Sequence, residues 1–191
     1  MNVNFARTKN KIVTTARLCA VLAASLPLFT GCNSKAKPTP ENFTQAINAY
    51  YQDRSECLFS NMRFPYATSD AAVVKQMNTL VQSHLLEASY ESAVKTTRYT
   101  VSTTGTRYAP RFCYGHRAVA SIDHFTTPEK GPSGFPETNI EYHYTLLDVP
   151  VWARSAEIGA AYPQMAQMAA NGGTDKISLA QTLAGWQVPE R

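Results

Sequence analysis

Apolar residues along this chain change period twice, and the changes mark out a helical part, a stranded part and a mixed tail. Thr39 reads as a helix N-cap, with Pro40 at the first helical position and Glu41 in the first turn. Phe43, Ile47, Tyr50 and Tyr51 follow at helical spacing, which predicts a helix to about Arg54. Phe64-Pro65 marks a turn, and Ser69 or Asp70 is placed to cap a second helix. In that helix Val73, Val74, Met77, Leu80, Val81 and Leu85 repeat as one apolar stripe.

The period then shortens to two. Arg98 to Ser102 is rich in β-formers, and Thr104-Gly105 offers a turn. Phe112 to Phe125 is a long β-compatible run. A Pro/Gly-rich connection from Thr126 to Pro136 leads to a second run, Thr138 to Leu147. There Ile140, Tyr142, Tyr144 and Leu146 alternate with Glu141, His143 and Thr145, so the two runs predict an antiparallel hairpin with one buried face. Pro150 ends it. Trp152 to Ala161 is Ala-rich and helical, and Pro163 either breaks that helix or starts another running to Ala170. Asn171-Gly172-Gly173 is a stop signal. The tail from Lys176 supplies a last strand near Leu183 to Val188, with Trp186 as its packing anchor.

Upstream of all this lies a different kind of segment. Arg7, Lys9, Lys11 and Arg17 form a basic start without acidic residues, followed by an apolar stretch from Leu18 to Phe29. That is the order of a secretory signal, and the stretch falls short of the roughly 20 apolar residues a spanning helix needs. It ends in Leu28-Phe29-Thr30-Gly31-Cys32. A small Thr-Gly pair directly before a cysteine resembles the lipobox of bacterial lipoprotein precursors, with Phe29 where that family usually carries Leu. The resemblance implies cleavage before Cys32 and lipidation of Cys32. Asn33, rather than Asp, follows the cysteine, and by the same resemblance this implies the outer membrane. Several acyl chains on one cysteine, at about 0.8 kcal/mol per buried methylene, suffice for stable attachment.

Removing that segment changes the charge balance. The whole chain carries 18 Lys and Arg against 14 Asp and Glu. All four signal charges are basic, so the remainder is formally neutral. A phosphate-binding surface needs a basic excess, and the densest basic group (Arg107, Arg111, Arg117) is sparse. No nucleic-acid partner is expected. Cys19 leaves with the signal and Cys32 takes the lipid, which leaves Cys57 and Cys113. In an oxidising compartment a disulfide is the simplest reading of the pair. Two buried thiols, or one reactive thiol, are the alternatives. Neither cysteine lies in a Cys-x-x-Cys.

A second resemblance spans about 41–110. Leu80-Val81-Gln82-Ser83-His84-Leu85-Leu86, then a hairpin carrying Tyr99-Thr100-Val101-Ser102-Thr103-Thr104-Gly105, is similar to the end of a winged-helix domain. That family ends its helix in Gly-Leu-Leu and carries Tyr-x-Leu-Thr-x-x-Gly in the wing. Here His84, Val101 and Ser102 replace the Gly, Leu and Thr. The helix that would enter DNA, about Asp70 to Ser83, has one basic residue, Lys75, beside Gln76, Asn78 and Gln82. The resemblance therefore implies a packing module rather than a DNA reader.

His116 and His124 stand eight residues apart on one strand, about 26 Å at strand rise, too far to share an ion. A symmetric hairpin would set His143 opposite about Val119 and near neither. No closely spaced histidine or carboxylate motif suggests a metal, and no Gly-rich phosphate loop or dinucleotide fingerprint suggests a cofactor. Gly131-Pro132-Ser133-Gly134 is a hairpin loop rather than a nucleophile elbow. Asp123 and His124 are strand neighbours that point to opposite faces. The ten tyrosines allow two readings, an aromatic strip for glycan or peptide or ordinary strand formers with a wet rim.

The resulting expectation is an α+β lipoprotein. It comprises a signal peptide (1–31), anchor and linker (32–40), winged-helix-like half (41–110), and a half of antiparallel β-hairpin or sheet with a C-terminal helix (111–191). Cys57 and Cys113 staple the halves. The functional expectation is a non-catalytic binding or assembly protein on the periplasmic face of the outer membrane, held there through Cys32 and engaging another envelope protein. The alternative is an envelope hydrolase acting on glycan or cell-wall material, with a site assembled around His116, Asp123 or His143.

Overall fold

The computed structural model describes residues 34–189. The signal segment, the lipobox and Cys32 lie outside the described residues. A 3-10 turn, Ser34–Ala36, opens the described chain. Helix α1 (Pro40–Tyr51) then starts where its cap predicts, with the Thr39 hydroxyl accepting from the Asn42 amide. Two short strands follow, β1 (Ser55–Cys57) and β2 (Tyr66–Thr68). Helix α2 (Ala71–Gln82) is capped by Asp70, whose carboxylate accepts from the Ala72 and Val73 amides. Strands β3 (Leu86–Glu91) and β4 (Thr96–Val101) form a hairpin.

The larger sheet is built mainly from the second half. Its strands are β5 (Cys113–Phe125), β6 (Glu129–Lys130) and β7 (Pro136–Leu147). After a 3-10 turn, Val151–Arg154, come α3 (Ala156–Ala161) and α4 (Pro163–Asn171). Strands β8 (Gly173–Thr182) and β9 (Gly185–Gln187) complete the order β1-β5-β7-β8-β9, all antiparallel, with β6 also paired to β7. A three-stranded sheet, β2-β4-β3, stands apart from it.

Two apolar clusters hold these parts. In one, Phe43 and Ile47 of α1 pack on Ile140, Tyr142, Leu179 and Trp186. In the other, Met77 and Leu80 of α2 meet Tyr99, Phe112, Trp152, Ile158 and Met165. Leu146 and Met168 touch both clusters. Each fully buried large side chain here contributes about 1.5–3 kcal/mol of transfer free energy.

The α+β class and the one-sided hairpin hold: Ile140, Tyr142 and Tyr144 are buried. The winged-helix half does not. The α2–β3–β4 succession is present, but α1 takes no part in a shared helical core with α2. Its apolar face lies on β5, β7, β8 and β9, while α2 packs against side chains from the 150–170 region. Two other expectations change. The Trp152 to Ala161 run divides at Ser155 into a 3-10 turn and α3, because the Ser155 side chain caps the Ile158 amide. The Asn171-Gly172-Gly173 stop does end α4, but two strands follow it, β8 and β9, where the sequence predicts one near Leu183 to Val188. Gly172 turns the chain at φ +66°, where a Cβ would lie 1.8 Å from the Tyr144 carbonyl oxygen.

The disulfide reading of the cysteines is the one realised. Cys57 and Cys113 are bonded, and they face each other across the β1–β5 pair.

Candidate functional site

The most charged interior feature is one that sequence inspection missed. Alternation on β5 turns Arg117 to the covered face, beside Leu146 and near Val119. Its guanidinium donates from Nε to Glu56 of β1 at 2.6 Å and from Nη1 to Asp175 of β8. To reach Asp175 it crosses the Tyr144 ring on β7, 4.5 Å from the ring centroid, with Tyr51 of α1 at 5.2 Å. Burial opposes the Arg117 charge, but the Glu56 carboxylate, helped by its hydrogen bond, holds the guanidinium pKa above its ordinary value. The Tyr142 hydroxyl is buried among these groups without a hydrogen bond of good geometry among the described residues, and burial raises its pKa, with neighbouring Tyr51 adding to the effect.

Two carboxylates already engage Arg117, and its side chain is 17% exposed. This is a brace that ties β1, β5 and β8 across β7, not a binding site. Isolated charges at 56, 117 and 175 carry no mutual spacing signal; only strand pairing brings them together.

The histidines fall differently from the symmetric hairpin expectation. Register shifts occur on β5 between Val119 and Ser121 and between Ile122 and His124. His143 consequently pairs with Ser121 rather than Val119, and its Nδ1 lies 2.5 Å from an Asp123 carboxylate oxygen. Bulges add residues that the alternation count cannot see. The Ser121 hydroxyl donates to the other Asp123 oxygen at 3.2 Å. This is not a nucleophile relay, because the hydroxyl engages the carboxylate instead of the imidazole. His116 faces Asp148 at 3.4 Å. Its β7 partner is Leu147, and that of His124 is Glu141. Six residues of strand, about 20 Å, separate those positions. Among the described residues no three His, Cys, Asp or Glu side chains converge on a metal position. Ser133 donates to Glu137 at 2.5 Å inside its loop.

The tyrosines do not form a strip. Tyr99 and Tyr142 are fully buried, Tyr114 and Tyr144 nearly so, and Tyr90 stands exposed on the β3–β4 hairpin.

A cleft remains, of about 630 Å3, between α1, the β8–β9 turn and the loop before β7. Tyr50 and Ala46 of α1 form one wall, Trp186 and Ala180 of the sheet the other, and Phe135 closes the side. Phe43 fixes the Trp186 ring edge-on at 5.1 Å. Arg54 is held at one end by its bond to the Tyr50 carbonyl, 2.8 Å, and by the Tyr50 ring beneath it, 4.0 Å from the centroid. Lys35 lies on the lining too, and no lining residue is acidic. An adjoining hollow shares Tyr50 and Arg54 and adds Lys176. The cleft is thus aromatic-walled with a cationic border.

Residues 34–37 form part of its rim, and they are not the free tether that a Pro- and Lys-bearing linker predicts. Asn42 Nδ2 donates to the Ser34 and Lys37 carbonyls at 2.8 and 2.9 Å. Gln181 donates to the Ala36 carbonyl at 2.8 Å, and Trp186 Nε1 to that of Lys37 at 3.0 Å. The lead-in therefore lies along β9, an edge strand, and shields it.

Comparison with protein-family models, curated protein sequences and solved structures returns no match to this chain.

Proposed function

We propose that this protein is a lipid-anchored envelope protein whose task is binding, with Cys32 carrying the lipid and the periplasmic face of the outer membrane as its place. The observation that supports a binding role best is the cleft, whose aromatic walls (Tyr50, Phe135, Trp186) and cationic border (Arg54, Lys35) come without any acidic lining. That chemistry suits a segment of another envelope protein bearing apolar and acidic side chains. Arg54 is already oriented by Tyr50, so little side-chain entropy is lost when it meets a carboxylate. The hydrolase alternative has less behind it: Asp123 and His143 sit on the open face of the sheet, and Ser121 bonds the carboxylate.

The test is site-specific photocross-linking in intact envelopes. A photoreactive residue at Gln45, on the cleft lining, is expected to give one protein adduct of defined mass. The same residue at Val94, exposed on the β3–β4 hairpin, is expected not to. Matching patterns from the two positions would remove the cleft as the binding site. Separately, Cys32→Ser is expected to release the protein from membranes, and undiminished retention would remove the lipid anchor.

A further inference from the structure

The clamped lead-in has a geometric consequence for any lipid on Cys32. One residue, Asn33, separates Cys32 from Ser34, where the described chain is already tied to α1 through Asn42. Two residue steps reach at most about 7 Å. Lipidation at Cys32 would therefore hold the surface around Ser34 and Lys35 at the headgroup layer, with no long tether to let it rotate away.

That surface carries a feature the fold leaves unexplained. Gly185 approaches the lead-in so closely that an added Cβ would lie 3.1 Å from the Lys35 carbonyl oxygen. Two residues earlier, Leu183 occupies the tip of the β8–β9 turn and is 96% exposed. The turn is closed by the Thr182 hydroxyl donating to the Gly185 carbonyl at 2.8 Å, so the tip is presented on a short, fixed support. Phe135, 48% exposed, lines the same cleft as Lys35 and Ala184. Lys35 and Lys37 are exposed and are the first charges after Cys32. A lone exposed leucine is ordinary. Its closeness to a segment two residue steps from the lipid-bearing position gives this one a defined neighbour.

We propose that the β8–β9 turn is a second membrane contact, with Leu183 entering the boundary between headgroups and acyl chains and Lys35 and Lys37 meeting anionic headgroups. The inference rests on the lipid anchor at Cys32. Its effect is orientation: two contacts fix which side of the domain faces the bilayer, and they place the mouth of the cleft near the membrane surface.

The full-length lipidated protein tests this. In Leu183→Cys the introduced thiol is the free one, because Cys57 and Cys113 are bonded and Cys32 carries lipid. It is labelled with a polarity-sensitive fluorophore and the protein is placed in vesicles containing anionic lipid. A lipid nitroxide near the headgroup end of the acyl chain is expected to quench this label severalfold more than a label at Val94→Cys. Equal quenching at the two positions, with the protein sedimenting with the vesicles, would overturn the contact while leaving the anchor standing. Retention of Cys32→Ser in cell membranes would overturn the anchor instead, and with it the contact that rests on it.

Discussion

The indole N–H of Trp186 donates to the carbonyl of Lys37 at 3.0 Å, joining residues 149 positions apart in the chain. This one bond ties the C-terminal edge strand to the start of the described chain. The same ring packs edge-on against Phe43 at 5.1 Å. Trp186→Phe keeps most of the packing and removes the donor, while Asn42 still serves the Lys37 carbonyl. The expected loss is about 1 kcal/mol, read by denaturant unfolding, together with faster tryptic cleavage after Lys35 in the native protein. Unchanged cleavage would show that the other hydrogen bonds hold the lead-in by themselves.

Arg117 is the only cation in contact with Glu56 and Asp175 among the described ion pairs. Arg117→Met preserves much of the apolar stem and leaves two carboxylates facing a half-buried space. The expected cost is about 2–4 kcal/mol, less than for a fully buried pair because Asp175 is partly exposed. The triple change Glu56→Gln, Arg117→Met, Asp175→Asn is expected to be milder than Arg117→Met alone. A triple variant as unstable as the single one would mean that packing, not charge, governs the site.

The Cys57–Cys113 bond closes a loop with sequence separation 56. In the chain-entropy view such a crosslink stabilises by about 4 kcal/mol. Reduction, or the double serine variant, is expected to lower the unfolding midpoint strongly. Mature protein denatured without reductant is expected to show no thiol; two reactive thiols would contradict the bond.

Burial raises the pKa values of Tyr99, Tyr114, Tyr142, Tyr144 and Tyr162, with Tyr162 pushed up to about 12. In the unfolded chain tyrosine ionises near 10. Between those values the unfolded state holds fewer protons than the folded one, so stability falls as pH rises. The contribution is complete below about pH 10 and is lost progressively towards about pH 12 for Tyr162. Ultraviolet titration is expected to show the buried set ionising only together with unfolding. A single smooth titration near pH 10, with the fold intact, would contradict this.

Local structure was legible because its causes are local. Thr39 and Asp70 cap helices through their own side chains, and the alternation from Ile140 to Leu146 follows from strand geometry. The expectation of an oxidising compartment, with Cys19 and Cys32 assigned to the signal and the lipid, made Cys57–Cys113 the simplest pairing. What the sequence could not decide was which surface receives each apolar face. Periodicity shows that α1 and α2 each bury a stripe, yet it is the same whether they pack on one another, as in a winged helix, or on separate clusters as they do. Register was equally hidden. Two irregularities on β5 bring His143 onto Asp123, and no count of alternating residues contains them. The Arg117 brace, the clamped lead-in and the cleft beside Trp186 all join residues far apart in the chain. Contacts of that kind arise only once the strands have paired, so tertiary structure alone determined them.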